Sequence, residues 1–156
     1  MWPVNELFLG VSCLLMEFNP DNKVVQLCAQ GMEQEGNGQP AEAARLFDEA
    51  WSVAANDFEK FTAAHYVARH QKSDFNKLLW NLKALQHALN IEDDGIKATL
   101  PSLYLNIGKC YEDLGDLEHA KLEYKTALSF SGFLPNDGYG NMIKAGIAKG
   151  LERVGL

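Results

Sequence analysis

The chain has 156 residues, 47% hydrophobic and 22% charged, with a formal net charge of −7. That length suits one domain, and that balance of apolar and charged residues suits a folded chain rather than a disordered one. The acidity argues against a nucleic-acid partner, because phosphate binding needs a basic field.

Residues 1–18, MWPVNELFLGVSCLLMEF, contain an apolar run from Leu7 to Met16. No Lys or Arg precedes the run and Glu6 sits at its edge, unlike the charged flank of a secretion signal. Gly10-Val11-Ser12-Cys13 only loosely matches a lipoprotein cleavage box. The run is too short to span a bilayer. Three readings stay open: an extra helix on the domain that follows, sequence upstream of a start at Met16, and a secretion or lipid-anchor signal.

Asn19-Pro20-Asp21-Asn22 is a cap or turn cluster. A first helix is expected from Lys23 to about Glu35, with Val24, Leu27 and Gly31 inward. Residues 36–39 read as a turn. Pro40 suits the first turn of a second helix, which is expected to reach about Ala55. Its inward face is Ala43, Phe47, Ala50, Trp51 and Ala54. Asn56-x-x-Glu59 has the form of a capping box, so a third helix should follow with almost no linker, from about Phe58 to Gln71. Phe58, Phe61, Ala64 and Ala68 share one side of it. Ser73-Asp74 caps a fourth helix, about Phe75 to Asn90, with Leu78, Leu82, Leu85 and Leu89 as its stripe. Glu92-Asp93-Asp94-Gly95 is a turn without the ligand spacing of a calcium loop. A fifth helix begins near Lys97 or only after Thr99.

The segment from Pro101 to Leu134 carries the most information. Tyr104, Ile107, Gly108 and Tyr111 recur at helical spacing, and Leu114 extends their face. Gly115 allows a left-handed stop and Asp116 caps the next helix. Leu117, Ala120, Tyr124, Ala127 and Leu128 form that helix's stripe. Gly108 costs roughly 1 kcal/mol in a helix against Ala, which points to a closely crossing neighbour. Beyond a loop at 131–137, a last helix is expected from about Tyr139 to Val154. Met142, Ile143, Ile147 and Leu151 face inward on it, and Gly146 and Gly150 allow close approach.

Tyr104, Ile107-Gly108, Tyr111, Ala120, Tyr124 and Ala127 resemble the signature of the tetratricopeptide repeat, a helix-turn-helix unit of about 34 residues. Gly132 stands where that pattern has Pro. The pattern recurs upstream at an offset of 108 − 31 = 77 residues. Gly108 falls on Gly31, Gly115 on Gly38, Ala120 on Ala43, Tyr124 on Phe47, Ala127 on Ala50 and Tyr104 on Leu27. Removing one unit leaves roughly 43 residues for a long or irregular middle repeat. The resemblance implies an all-α fold of stacked antiparallel helix pairs in a right-handed superhelix. Repeats would lie at about 24–57, 58–100 and 101–134, with a capping helix at about 139–154 and residues 19–156 as a single domain.

No chemistry beyond binding stands out. The histidines at 65, 70, 87 and 119 make no metal-binding pair at i, i+4. Cys13, Cys28 and Cys110 share no tight spacing and read as free thiols of a reducing, cytoplasmic compartment. No strand-loop-helix phosphate motif occurs, so neither a cofactor, a metal nor an enzyme activity is expected.

In the resembling family the first helix of each pair lines a concave groove that holds a protein or peptide. Carried over, the groove residues would be Val25, Cys28, Met32 and Glu35 on the first helix. His65 and Arg69 would serve on the third, and Ser102, Leu105, Lys109 and Glu112 on the fifth. The carboxylate clamp of chaperone-binding members is not expected. Its Lys, Asn and Arg positions fall here on Cys28, Met32, Tyr66 or Thr62, Ser102 and Asn106. The expected role is a peptide-binding adaptor; a structural homo-oligomer is the alternative, and an accessory enzyme domain ranks below both.

Overall fold

The structure, a computed structural model, describes residues 19–155. The three readings of residues 1–18 lie outside the described residues. Asn22 opens the first helix, α1 (Lys23–Gly36), by accepting hydrogen bonds from the N–H groups of Val24 and Val25. Pro40 stands in the first turn of α2 (Pro40–Val53), where its missing N–H costs nothing. Asn56 caps α3 (Asp57–Arg69) through the Glu59 N–H. The Glu59 carboxylate takes the Ala55 N–H, one residue before the cap, and also the Asn22 side-chain amide. That expected capping box is therefore shifted by one residue and ties the start of α3 to the start of α1. Ser73 caps α4 (Asp74–Leu89).

The described residues fall into two units, 19–92 and 93–155. In the unit of 19–92, α1 pairs with α2 and α3 pairs with α4. The turns between partners are short, which forces them antiparallel. Phe47 of α2 is fully buried, and its ring stacks on Tyr66 of α3 with centroids 5.1 Å apart. The buried line of α4 is Leu78, Asn81, Ala84 and Ala88; of the expected leucine stripe Leu78 lies on it, Leu82 and Leu85 are half-buried and Leu89 is exposed. The small alanines take the line of closest approach, so Leu82, Leu85 and Leu89 are turned to its flank.

In the unit of 93–155, a 3-10 turn (Asp94–Ala98) leads into α5 (Leu100–Asp113), the later of the two expected starts. Next come α6 (Leu117–Phe130), a 3-10 turn (Ser131–Phe133) and α7 (Gly138–Arg153). Helices α5 and α6 pair, and α7 packs on both. Tyr124 of α6 is fully buried beneath Gly108 of α5 and Gly150 of α7; a Cβ on either glycine would come within 2.7–2.8 Å of its ring. Leu105 lies in the same way against Gly146. Lys144, Lys149, Glu152 and Arg153 lie on the exposed side of α7.

The 77-residue offset holds at the level of individual bonds within the two units. The turn after α1 carries Asn37 N–H to Glu33 O, Gly38 N–H to Glu35 O and Gln39 N–H to Gln34 O. The turn after α5 carries Leu114 N–H to Cys110 O, Gly115 N–H to Glu112 O and Asp116 N–H to Tyr111 O. Each set is the other moved by the offset. Gly38 and Gly115 hold φ of 73° and 81°, which explains a glycine at both turns.

Candidate functional site

Each unit places its share of the expected groove residues differently. In the unit of 19–92, Val25, Cys28 and Met32 of α1 are buried. Burial alone pushes the Cys28 thiol up to about 12, which suppresses the thiolate a nucleophile would need. Glu35, one turn further on, has a side chain only 13% exposed. Its Oε1 stands 2.6 Å from His70 Nε2, and its Oε2 stands 3.0 Å from Arg69 Nη2. The carboxylate thus binds α1 to the end of α3.

His65 lies one turn before Arg69 on α3, the spacing at which side chains share a face. His65 Nδ1 and Arg69 Nη1 are buried and have no hydrogen-bond partner among the described residues. Burial first, and then the Arg69 guanidinium, hold the His65 imidazole down to about 4. The ring is therefore neutral at pH 7 beside a permanent cation. A buried unsatisfied polar group costs about 1–3 kcal/mol; the Arg69 Nη1 donor calls for an acceptor, and His65 Nδ1 does so in the tautomer that carries its proton there.

In the unit of 93–155, Ser102 Oγ donates to the Thr99 carbonyl, 2.9 Å away. Leu105 is buried under α7. Lys109 pairs with Asp113 on its own helix. Glu112, 15% exposed, accepts from Arg153 of α7 at 2.7 Å and 3.0 Å and from the Tyr124 hydroxyl. The Arg153 hydrogen bonds, outweighing desolvation, hold the Glu112 carboxyl below its usual range.

Glu35 and Glu112 stand at the same 77-residue offset and do the same work. Each is a nearly buried carboxylate at the end of a first helix, holding a cation from a later helix. Residue reading from the chain alone did not find this role, nor His70. The cations Arg69 and Arg153 are 84 residues apart (153 − 69), so they do not share the offset that reveals their acceptors.

A family model described as tetratricopeptide repeat matches residues 101–132, the segment that forms α5, α6 and the turn after them. Residues 101–132 thus carry one tetratricopeptide repeat. No curated protein and no solved structure matches it. The matched tetratricopeptide repeat holds the Gly108–Tyr124 contact, the Gly115 turn and the Glu112 acceptor, and α1–α2 reproduces all three from Gly31–Phe47, Gly38 and Glu35; the cations come from α7 and α3. A tetratricopeptide repeat is a protein-interaction module. Among the described residues no cluster of three or more His, Cys, Asp or Glu side chains has metal-binding geometry. Among the same residues no helix is long and apolar enough to cross a membrane.

Proposed function

We propose that this tetratricopeptide-repeat protein is a non-enzymatic adaptor that captures an acidic segment of a partner protein on the α1–α3 face. One observation carries the reading: the buried His65 Nδ1 and Arg69 Nη1 on adjacent turns of α3, which have no hydrogen-bond partner among the described residues. A carboxylate from the partner supplies the acceptor that both lack. Arg69 spends one guanidinium nitrogen on Glu35 and keeps the other for the ligand. Lys109 is less suited to the task, because Asp113 already neutralises it. A cytoplasmic setting belongs to the same proposal, in keeping with Cys28 and Cys110 as buried free thiols.

Capture of partners on the immobilised protein, followed by mass spectrometry, identifies the segment. Binding of that segment to Arg69→Gln should be weaker and less dependent on salt than binding to the wild type. Equal affinity in the two proteins, with equal melting, would overturn the assignment. The alternative is self-association, favoured by Phe75, Leu79 and Leu89, each of which is exposed on α4. Light scattering across a range of concentrations separates the two. A monomer at all of them eliminates the oligomer.

A further inference from the structure

The residues where α2 meets α4 take no part in the reading above. Trp51 of α2 and Trp80 of α4 meet edge to face, with ring centroids 5.0 Å apart and planes at 89°. Both side chains remain partly exposed. The Lys83 ammonium lies over them, 4.1 Å from the Trp80 centroid and 5.7 Å from the Trp51 centroid. Lys83 is in a chain of net charge −7, yet among the described residues no carboxylate forms an ion pair with it. His87 closes one side, 6.0 Å from Trp51, and is itself fixed by Asp57 at 2.7 Å.

Two indoles at right angles present a concave corner whose ring faces are negative, and a cation resting there is stabilised by the ring quadrupoles. The chain's own lysine marks the corner as a cation site. We propose that Trp51 and Trp80 form a binding site for a methylated ammonium group of a partner, and that Lys83 fills it while the partner is absent. A plain lysine from outside would compete against a tethered group of identical chemistry at high effective concentration. A methylated ammonium is more weakly hydrated and gives up less water on reaching the rings. It therefore displaces Lys83 where an unmethylated one does not. This site shares no residue with the α1–α3 face, so its test is independent of the acidic-segment reading.

The test titrates tetramethylammonium chloride into the full chain at constant ionic strength, with neopentyl alcohol as the neutral isostere and butylammonium as the lysine analogue. The indole N–H signals of Trp51 and Trp80 and the ε-methylene signal of Lys83 are followed by NMR. Tetramethylammonium should shift both indoles saturably and return the ring-shifted Lys83 methylene toward its random-coil position. The isostere should do neither, and butylammonium should be weaker. Lys83→Gln should tighten tetramethylammonium binding several-fold, and Trp80→Leu should abolish it. Equal responses to tetramethylammonium and its isostere would overturn the proposal. So would an affinity unchanged by Lys83→Gln. The wild-type Lys83 signal decides the matter even if the tryptophan variant fails to fold.

Discussion

A Cβ on Gly108 would lie 2.7 Å from the ring of Tyr124, and a Cβ on Gly31 would lie 2.3 Å from the ring of Phe47. Neither glycine is in a left-handed conformation, so only the neighbouring ring forbids a side chain there. Alanine would raise helix propensity by about 1 kcal/mol at each position. Overpacking against a fixed aromatic ring costs roughly 1–3 kcal/mol, so the clash outweighs the gain. Gly31→Ala and Gly108→Ala should both lower the urea midpoint, and the leucine variants should lower it further. Wild-type melting in both leucine variants would show that the helices do not cross where the two contacts place them.

The turn glycines make the opposite case. Gly38 and Gly115 have positive φ and nothing within 4 Å of an added Cβ. Their substitution cost is therefore backbone strain alone, about 1 kcal/mol each for alanine. Gly132 is equally open but lacks the positive φ, so Gly132→Ala should leave stability nearly unchanged. Equal melting for the alanine variants of 38, 115 and 132 would refute a left-handed stop at the two turns.

Helix order and the register of α1–α2 against α5–α6 were legible in the chain because a ring-on-glycine contact needs two residue types at a fixed spacing. Phe47 and Tyr124 announce Gly31 and Gly108 in this way. The middle pair was less legible. In α4 the leucines are the larger apolar residues, yet Ala84 and Ala88 are the fully buried ones. Size alone does not tell which line meets the neighbouring helix. The site was harder still. Glu35 and Glu112 look like groove carboxylates in one dimension, and only the fold brings Arg69, His70 and Arg153 to them.

Glu112 links α5 to α7 through Arg153 and to α6 through Tyr124. Its partner Arg153 is partly exposed, so the pair is discounted for solvent screening and Glu112→Gln should cost roughly 1–2 kcal/mol at pH 7. The folded carboxyl titrates below its unfolded value of about 4.3. Its contribution is thus fully present above that value and is lost as pH falls through the lower, folded one. The stability gap between wild type and Glu112→Gln, read from urea melts, should be constant from about pH 7 to about pH 5 and should narrow below about pH 4. A gap that stays constant down to pH 3 would mean that the carboxylate charge contributes nothing.

His65 should behave in the opposite chemical sense but with the same direction in pH. Burial holds the folded imidazole down to about 4, whereas the unfolded one titrates near 6.5. Between those values the unfolded chain binds a proton that the folded chain refuses. Stability from His65 is therefore complete above about pH 6.5 and is lost as pH falls toward 4. NMR titration of the side chain should give a midpoint near 4, and His65→Gln should flatten the fall in stability between about pH 6.5 and pH 4.5. A midpoint near 6.5 would show that the ring is open to water and would remove the burial argument. Titration in the presence of the identified partner segment adds a second reading. A carboxylate placed against Nδ1 favours the imidazolium, so the midpoint should rise on binding in the wild type. It should rise less in Arg69→Gln, where the anion is no longer held. A midpoint that the bound segment leaves unmoved would place the partner's acid away from His65.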